Sequence, residues 1–299
     1  MNWESEINSF KDYLKLEKGL SDNSIHAYIT DLYKLVQFLK DRGHNVNPDN
    51  ITLNHLKELM EWINSRGISP RTQARIISGI KSFYKFLLIE EKIEKDPTSL
   101  LEAPKVGRKL PEILSVEEID EIINAINTRK PEGQRNKAIL ETLYSCGLRV
   151  SELIDLKISN LFFESGFIKI EGKGSKERLV PISTKAIKEI NLYLGEYRRN
   201  LNINPDDEDT LFLNRRGKKL SRVMIFTIIK NTTKALGLEK NISPHTFRHS
   251  FATHLIDGGA NLRAVQEMLG HESIITTEIY THLDKEYLKN TIIQYHPRT

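Results

Sequence analysis

The chain has 299 residues, which is enough for two domains of ordinary size, each able to bury its own core. Apolar residues make up 39% and charged residues 28%, a composition typical of a globular protein that excludes a disordered or fibrous one. The net charge of +4 is too small to identify a partner by itself. A single cysteine, Cys146, excludes an internal disulfide, and its simplest interpretation is a small buried apolar side chain.

Neither a membrane segment nor a targeting segment is predicted. No apolar run approaches the length of a membrane helix. The first ten residues, MNWESEINSF, carry acids and lack the apolar core of a secretory signal. The predicted location is therefore the cytoplasm.

Residues 1–103 are predicted to form a domain of four helices, because apolar residues recur at helical spacing almost throughout. The apolar stripe of the first helix runs from Trp3 to Leu16. Ser21 has the position of an N-cap for the second helix. Pro70 stands where the first position of the fourth helix tolerates a proline.

The fourth predicted helix, from about Ser69 to Glu90, is asymmetric in charge. Between Arg66 and Ile89 there is no acidic residue. A solvated basic face is one interpretation, and a helix laid against a phosphate backbone is the other. The basic residues of this helix are Arg71, Arg75, Lys81 and Lys85.

A linker is predicted at residues 104–111. The surrounding segment, 94–112, holds three prolines and a basic KVGRK run, and each proline favours extended backbone in the residue before it. The first domain would then comprise residues 1–103 and the second residues 112–299.

The second domain is predicted to be mostly helical with one small three-stranded antiparallel sheet. Short β-prone runs separated by turns occupy residues 161–182, and the second turn reads GKGSK at 172–176. The fold class is therefore mainly α. A second basic cluster without acids lies just ahead of a predicted helix at 221–236 and consists of Arg215, Arg216, Lys218, Lys219 and Arg222.

A histidine and an arginine near the C-terminus have the chemistry of an anion site. His245 and Arg248 are three residues apart on a predicted helix, so they emerge on the same face. An arginine fork can bind two phosphate oxygens at once. By itself such a pair is more often a surface feature. His249 and His254 lie nearby, but without an HExxH glutamate or a neighbouring cysteine no metal site is predicted.

Five sequence boxes between residues 147 and 282 occur in order: GLRVSEL, GKGSKER, HTFRH, LGH and YTH. Together they resemble the tyrosine recombinases, strongly over residues 115–299, and the first domain is compatible with the helical core-binding domain of that family. The KERLVP run and the closing HPRT favour the Xer subgroup. The resemblance implies a catalytic set without substitutions, namely Arg149, Lys173, His245, Arg248, His271 and Tyr280.

The resemblance implies that Tyr280 attacks phosphorus and forms a 3′-phosphotyrosyl link, a step that needs neither ATP nor a metal or other cofactor. A tyrosine hydroxyl has an unperturbed pKa of about 10, so a base must take its proton at neutral pH. His245 is the leading candidate. Glu152 matches a supporting acidic position, and it either orients Arg149 or a neighbouring histidine, or simply caps a helix.

The remaining members of the set suit the other tasks of phosphoryl transfer. Arg149 and Arg248 would neutralise the non-bridging oxygens as charge builds on phosphorus, and the imidazole of His271 would donate a further hydrogen bond. Lys173, on a turn flanked by glycines, would protonate the leaving 5′ oxygen as general acid.

The resemblance also implies partners. Double-stranded DNA would lie between the two domains, so that the two basic clusters contact phosphates from opposite sides. Two DNA sites would be held by a homo- or heterotetramer, with a second Xer recombinase and an FtsK-type DNA translocase as candidate partners. The last predicted helix, from about Asp284 to Gln294, has an apolar stripe that packs either in its own domain or on a neighbouring protomer, and the resemblance favours the neighbour.

The predicted function is a site-specific DNA recombinase that resolves chromosome dimers at a dif-like terminus site before segregation. An integrase of a mobile element has the same chemistry, but the chain starts directly in the helical domain without an extra arm-binding domain. A non-catalytic DNA-binding regulator is the alternative from another class, and the intact six-residue set argues against it. A type IB topoisomerase would share the covalent step without a partner duplex.

Overall fold

The computed structural model describes residues 1–104, 107, 112–172, 177–270 and 282–298, with the backbone alone for residues 282–286. The chain divides into two compact units, Met1–Lys109 and Leu110–Thr299, and each has its own hydrophobic core. The described residues are mainly helical, with one small sheet in the second unit, as the mainly α fold class predicts. The predicted 104–111 linker stays a prediction, since most of it lies outside the described residues.

The first unit contains four α-helices, and the second of them begins at its predicted N-cap, Ser21. Ser21 and Ser69 each accept a hydrogen bond from the backbone N–H three residues ahead, and Pro70 occupies the first turn of its helix. The helices are α1 (Trp3–Leu16), α2 (Asp22–Asp41), α3 (Leu53–Ser65) and α4 (Pro70–Ile89).

Aromatic side chains from α1 and α4 meet in the core of the first unit. The rings of Phe10 and Phe83 have their centroids 5.5 Å apart, edge to face, and both side chains are fully buried. Leu16 is 80% exposed, so its predicted place on the apolar stripe is wrong. It lies two residues beyond the buried Leu14, which is about 200° round the helix.

The second unit contains eight described α-helices around a buried central helix, α6. These are α5 (Val116–Asn124), α6 (Gly133–Cys146), α7 (Val150–Ile154), α8 (Thr184–Leu192), α9 (Arg222–Ala235), α10 (Pro244–Asp257), α11 (Leu262–Leu269) and α12 (His282–Tyr295). Helix α8 continues as a π-helical turn, Tyr193–Tyr197. The last nine residues of α6 are all buried, as expected of a helix surrounded by other elements.

Cys146, the last residue of α6, is fully buried. Burial raises the pKa of its thiol to about 12, so the thiol is neutral and does not act as a nucleophile at neutral pH. The prediction of a small buried apolar side chain is confirmed.

Three short antiparallel strands form the predicted sheet. They are β1 (Leu161–Phe162), β2 (Phe167–Glu171) and β3 (Glu177–Pro181), in the order β1-β2-β3. Ile168 pairs with Leu161 on one side and Val180 on the other. The turn that joins β2 to β3 contains Lys173 and falls outside the described residues.

Helix α12 packs in its own unit in this structure, which is the arrangement that the family resemblance disfavoured. Leu288 and Ile292 are buried in the core of the second unit, whereas Tyr287 and Ile293 are about half exposed on either side of them. The apolar stripe is therefore narrower than predicted.

Among the described residues, no helix is long and apolar enough to cross a membrane.

The C-terminal residues are anchored in the same unit. Arg298 is 2% exposed, forms ion pairs with Asp120 and Glu141, and lies over the ring of Tyr144. His296 is 3% exposed, and its Nδ1 accepts a hydrogen bond from the backbone N–H of Arg298 at 3.1 Å. His296 and Arg298 thus hold the end of α12 against α5 and α6.

Candidate active site

Helix α10 places His245 and Arg248 on one side of its first turns. Ser243 caps the helix by accepting a hydrogen bond from the backbone N–H of Thr246, and Pro244 takes the first helical position. His245 is exposed at the helix N-terminus, whereas Arg248 is 9% exposed. The arginine is therefore drawn into the unit while the histidine faces solvent.

Gly147, whose backbone has the left-handed conformation, positions both Arg149 and Arg248. Gly147 ends α6 with a φ of 56°, and a Cβ at this position would lie 2.4 Å from the ring of Phe251, so another residue would be strained and would clash. The carbonyl of Gly147 accepts a hydrogen bond from Nη1 of Arg248 at 2.6 Å. Two residues later, Arg149 begins α7.

Glu152 connects Arg149 to a second arginine, Arg178 of β3. Its carboxylate accepts hydrogen bonds from the backbone N–H and from Nη1 of Arg149, both at 2.8 Å. It also accepts from Nη1 and Nη2 of Arg178 at 2.8 and 2.9 Å. Glu152 therefore caps the start of α7 and contacts the Arg149 guanidinium at the same time, so the two interpretations of this residue are compatible.

The carboxylate of Glu152 is charged although its side chain is only 4% exposed. Burial by itself would raise its pKa, but the hydrogen bonds and positive charge of Arg178, with the hydrogen bonds from Arg149, outweigh that effect and lower the pKa below its usual value. Glu152, which accepts hydrogen bonds from two arginines, is therefore negatively charged at neutral pH.

The C-terminus of α11 receives one hydrogen bond from each of three arginines. The last carbonyls of a helix have no partner within it and carry partial negative charge. In α11 these carbonyls belong to three consecutive residues, and each accepts a hydrogen bond from a different arginine. The bonds are Arg178 Nε to Met268 at 3.0 Å, Arg248 Nη2 to Leu269 at 2.6 Å, and Arg149 Nη2 to Gly270 at 3.1 Å.

The three arginines and Glu152 together carry a net charge of +2, that is 3 − 1. Burial, with repulsion from Arg149, lowers the pKa of Arg248 to about 10, which leaves it protonated at neutral pH. The Arg149 side chain is 39% exposed, against 14% for Arg178 and 10% for Arg248. An anion that approached Arg149 would relieve the repulsion within the cluster.

Arg178 had no predicted role in the site. It occurs in the GKGSKER box and in a β-prone run of residues 161–182, and neither pattern assigned it a function. Its partners lie 26 and 90 residues away in sequence, so no local pattern could have identified them.

Three of the six predicted catalytic residues, Lys173, His271 and Tyr280, lie outside the described residues. The described part of the predicted site brings together Arg149, Arg248 and Glu152, and places His245 one helical turn from Arg248. These residues come from α7 and α10, and the C-terminus of α11 binds both arginines. The catalytic roles stay predictions.

The neighbouring histidines lie apart from this cluster. His254 Nδ1 lies 2.8 Å from the Tyr144 hydroxyl, and burial lowers the pKa of this histidine. His249 is exposed on α10. Among the described residues, no three His, Cys, Asp or Glu side chains are grouped so as to hold a metal ion.

The two basic clusters lie on the surfaces of their own units. In α4, Arg71, Arg75 and Lys85 are exposed and Lys81 is half-buried. Arg75 is held by the buried Asp31, with Nη1 2.6 Å from Oδ2. Every member of the second cluster is exposed, and these residues are Arg215, Arg216, Lys218, Lys219 and Arg222. Their contacts with DNA stay predictions.

Comparison with known proteins supports the resemblance over nearly the whole chain. Residues 112–287 match the phage integrase family, and residues 7–91 match the phage integrase N-terminal SAM-like domain. The chain belongs to the phage integrase family of tyrosine recombinases. It is an enzyme that breaks and rejoins DNA at specific sites, and the predicted family and reaction class are confirmed.

The similar proteins include Xer recombinases. The chain is 44% identical to tyrosine recombinase XerD of Oceanobacillus iheyensis, with 99% of each chain covered. It is 42% identical to tyrosine recombinase XerD of Chlorobaculum tepidum, over 99% of this chain and 97% of the relative. The crystal structure of XerH site-specific recombinase bound to palindromic difH substrate, a post-cleavage complex, has a TM-score of 0.71 at 25% identity and covers 96% of this chain and 83% of XerH.

Proposed function

We propose that this tyrosine recombinase is of the Xer type and resolves chromosome dimers at a dif-like terminus site before segregation. The observation that supports cleavage at a DNA phosphate is the cluster of Arg149, Arg248 and Glu152 at the C-terminus of α11, which carries excess positive charge and exposes one arginine. The full-length similarity to XerD proteins favours this subgroup over the integrase of a mobile element.

The proposed reaction uses the residues that match the family set. The Tyr280 hydroxyl attacks the scissile phosphorus after His245 takes its proton, and the bond from phosphorus to the 5′ oxygen breaks as Lys173 protonates that oxygen. Arg149, Arg248 and His271 stabilise the charge on the non-bridging oxygens. The 3′-phosphotyrosyl link is then attacked by the 5′ hydroxyl of a partner strand, and the tyrosine leaves.

The proposed assembly is a tetramer on two DNA duplexes. The similarity to XerH in complex with its difH substrate supports double-stranded DNA as the ligand of this chain. The exposed clusters on α4 and ahead of α9 would contact its phosphates. A second Xer recombinase in the tetramer, activation by an FtsK-type DNA translocase and a cytoplasmic location are parts of the same proposal.

Replacement of the nucleophile tests this proposal. Tyr280→Phe should bind a nicked suicide substrate as tightly as the unchanged protein and form no covalent adduct with it, because only the hydroxyl is removed. The matched control is Tyr287→Phe on α12, where the tyrosine is half exposed, and it should form the adduct at the normal rate. Denaturing gel electrophoresis and a band-shift assay measure the two quantities. A persistent adduct with Tyr280→Phe would disprove the assignment.

A further inference from the structure

Arg178 of β3 connects the sheet to the arginine cluster. Its Nη1 and Nη2 donate to the two oxygens of Glu152 at 2.8 and 2.9 Å, and its Nε donates to the carbonyl of Met268 at 3.0 Å. A bidentate arginine–carboxylate pair is stronger and more directional than a single ion pair. With 14% of its side chain exposed, Arg178 is turned toward the protein and away from solvent.

Arg178 completes the hydrogen bonding of Glu152. Each carboxylate oxygen accepts one bond from Arg178 and one from Arg149, so the roughly four acceptor sites of the group are filled. Arg149 thus makes one side-chain bond to Glu152 and one to the Gly270 carbonyl. Without Arg178, each carboxylate oxygen of Glu152 would lose one hydrogen bond. Both Nη atoms of Arg149 could then donate to that carboxylate and would no longer be available to a phosphate.

Arg178 also balances the charge of Glu152. With it the cluster carries +2, and without it the sum is 2 − 1, or +1. The second arrangement would leave Glu152 to neutralise one of the two arginines proposed to bind the phosphate. Arg178 therefore preserves the full charge of Arg149 and Arg248 for the ligand.

Arg178 reaches the C-terminus of α11 as well. The carbonyl that it binds belongs to Met268, and the guanidinium packs on Gly270, where an added Cβ would lie 3.1 Å from it. Gly270 directly precedes His271 in the sequence. One side chain thus holds both the carboxylate that orients Arg149 and the helix end that binds all three arginines.

We propose that Arg178 is a positioning residue of the recombination reaction. It fixes Glu152 and the C-terminus of α11 so that Arg149 presents its guanidinium to the scissile phosphate, and it does not contact the phosphate itself. This inference rests on the proposed function, because it assumes that Arg149 binds that phosphate.

The test is single-turnover cleavage of a nicked terminus-site duplex at saturating protein. Arg178→Met should slow adduct formation by about 10–100-fold, the range found when a partner that orients a functional ligand is removed. DNA affinity should change by less than about threefold, since Arg178 is not a phosphate contact. The matched control is Arg198→Met, which removes another buried arginine, one that donates to the Thr210 carbonyl outside the cluster. It should cleave at the normal rate.

A second substitution separates positioning from a merely structural role. Glu152→Gln in the Arg178→Met background removes the unbalanced carboxylate and restores a net charge of +2, so the double variant should cleave faster than Arg178→Met alone. If Arg178 had only a structural role, the loss of Glu152 would add to the loss of Arg178, and the double variant would cleave more slowly than Arg178→Met. Arg178→Lys keeps the charge but loses the bidentate fork, so its rate should lie between those of the unchanged protein and Arg178→Met.

Two results would overturn the inference. One is a rate for Arg178→Met equal to that of the Arg198→Met control, and the other is a double variant that cleaves no faster than Arg178→Met alone. If Arg178→Met does not fold, a normal rate for Arg178→Lys overturns the inference in the same way. Failure of the unchanged protein to form any adduct would instead refute the proposed function, so the two failures are distinguishable.

Discussion

Gly147 should tolerate alanine poorly, because two independent penalties meet there. Its φ of 56° costs an L-residue about 1–2 kcal/mol. The added Cβ would lie 2.4 Å from Cδ1 of Phe251, and forcing a methyl group into a packed core costs about 1–3 kcal/mol. Gly147→Ala should therefore destabilise the second unit by about 2–5 kcal/mol.

Gly237→Ala is the matched control. Gly237 also has a positive φ, 68°, but nothing lies within 4 Å of the position that a Cβ would take. Its substitution should cost only the backbone penalty of about 1–2 kcal/mol. Replacing glycine by alanine lowers the conformational entropy of the unfolded chain equally at both positions. The difference between the two changes in unfolding free energy therefore measures the cost of the contact with Phe251.

Urea unfolding, followed by tryptophan fluorescence and by far-UV circular dichroism, distinguishes the stability of the second unit from that of the first. Both tryptophans, Trp3 and Trp62, lie in the first unit, so their fluorescence should report an unchanged transition in either variant. Far-UV circular dichroism follows both units and should show the second transition shifted to lower urea. Equal shifts for Gly147→Ala and Gly237→Ala would show that Phe251 moves aside at little cost and would refute the reasoning.

Two further predictions concern proton transfer and pH. Lys173→Ala should lose cleavage on normal DNA and regain it when the scissile 5′ oxygen is replaced by sulfur, a better leaving group; failure of that rescue in a folded variant would exclude Lys173 as general acid. Burial lowers the pKa of His296 to about 3, against about 6.5 in the unfolded chain, so its contribution to stability is complete above about pH 6.5 and is lost as the pH falls below it. Between those values the second unit should lose about 1.4 kcal/mol per pH unit from this group. His296→Leu should flatten the pH dependence of the urea midpoint, and an unchanged slope would contradict the assignment.

Local features of the chain were predictable from the sequence because they depend on nearby residues. The cap at Ser21 and the strand pairing of residues 161–181 follow from side chains within a few positions of each backbone group. The family, too, was visible in five ordered boxes, because the residue types required by phosphoryl transfer occur at recognisable positions.

Contacts between distant segments were not predictable in the same way. The sequence assigned Arg178 to a family box and Arg75 to a basic helix face, and only packing brings them to Glu152 and Asp31. Leu16 was placed on an apolar stripe, but the helix ends there and leaves it in solvent. Periodicity reports which face of a helix is apolar, and it does not report which partner covers that face.

The sequence by itself determined the residue types of the site, the two mostly helical parts of the chain and the small sheet. Only the tertiary structure decided that three arginines converge on the last carbonyls of α11 and on one buried carboxylate. The physical reason is that these bonds join residues up to 121 positions apart. Their free energy depends on burial and on the geometry of the helix end, which exist only once the second unit has folded.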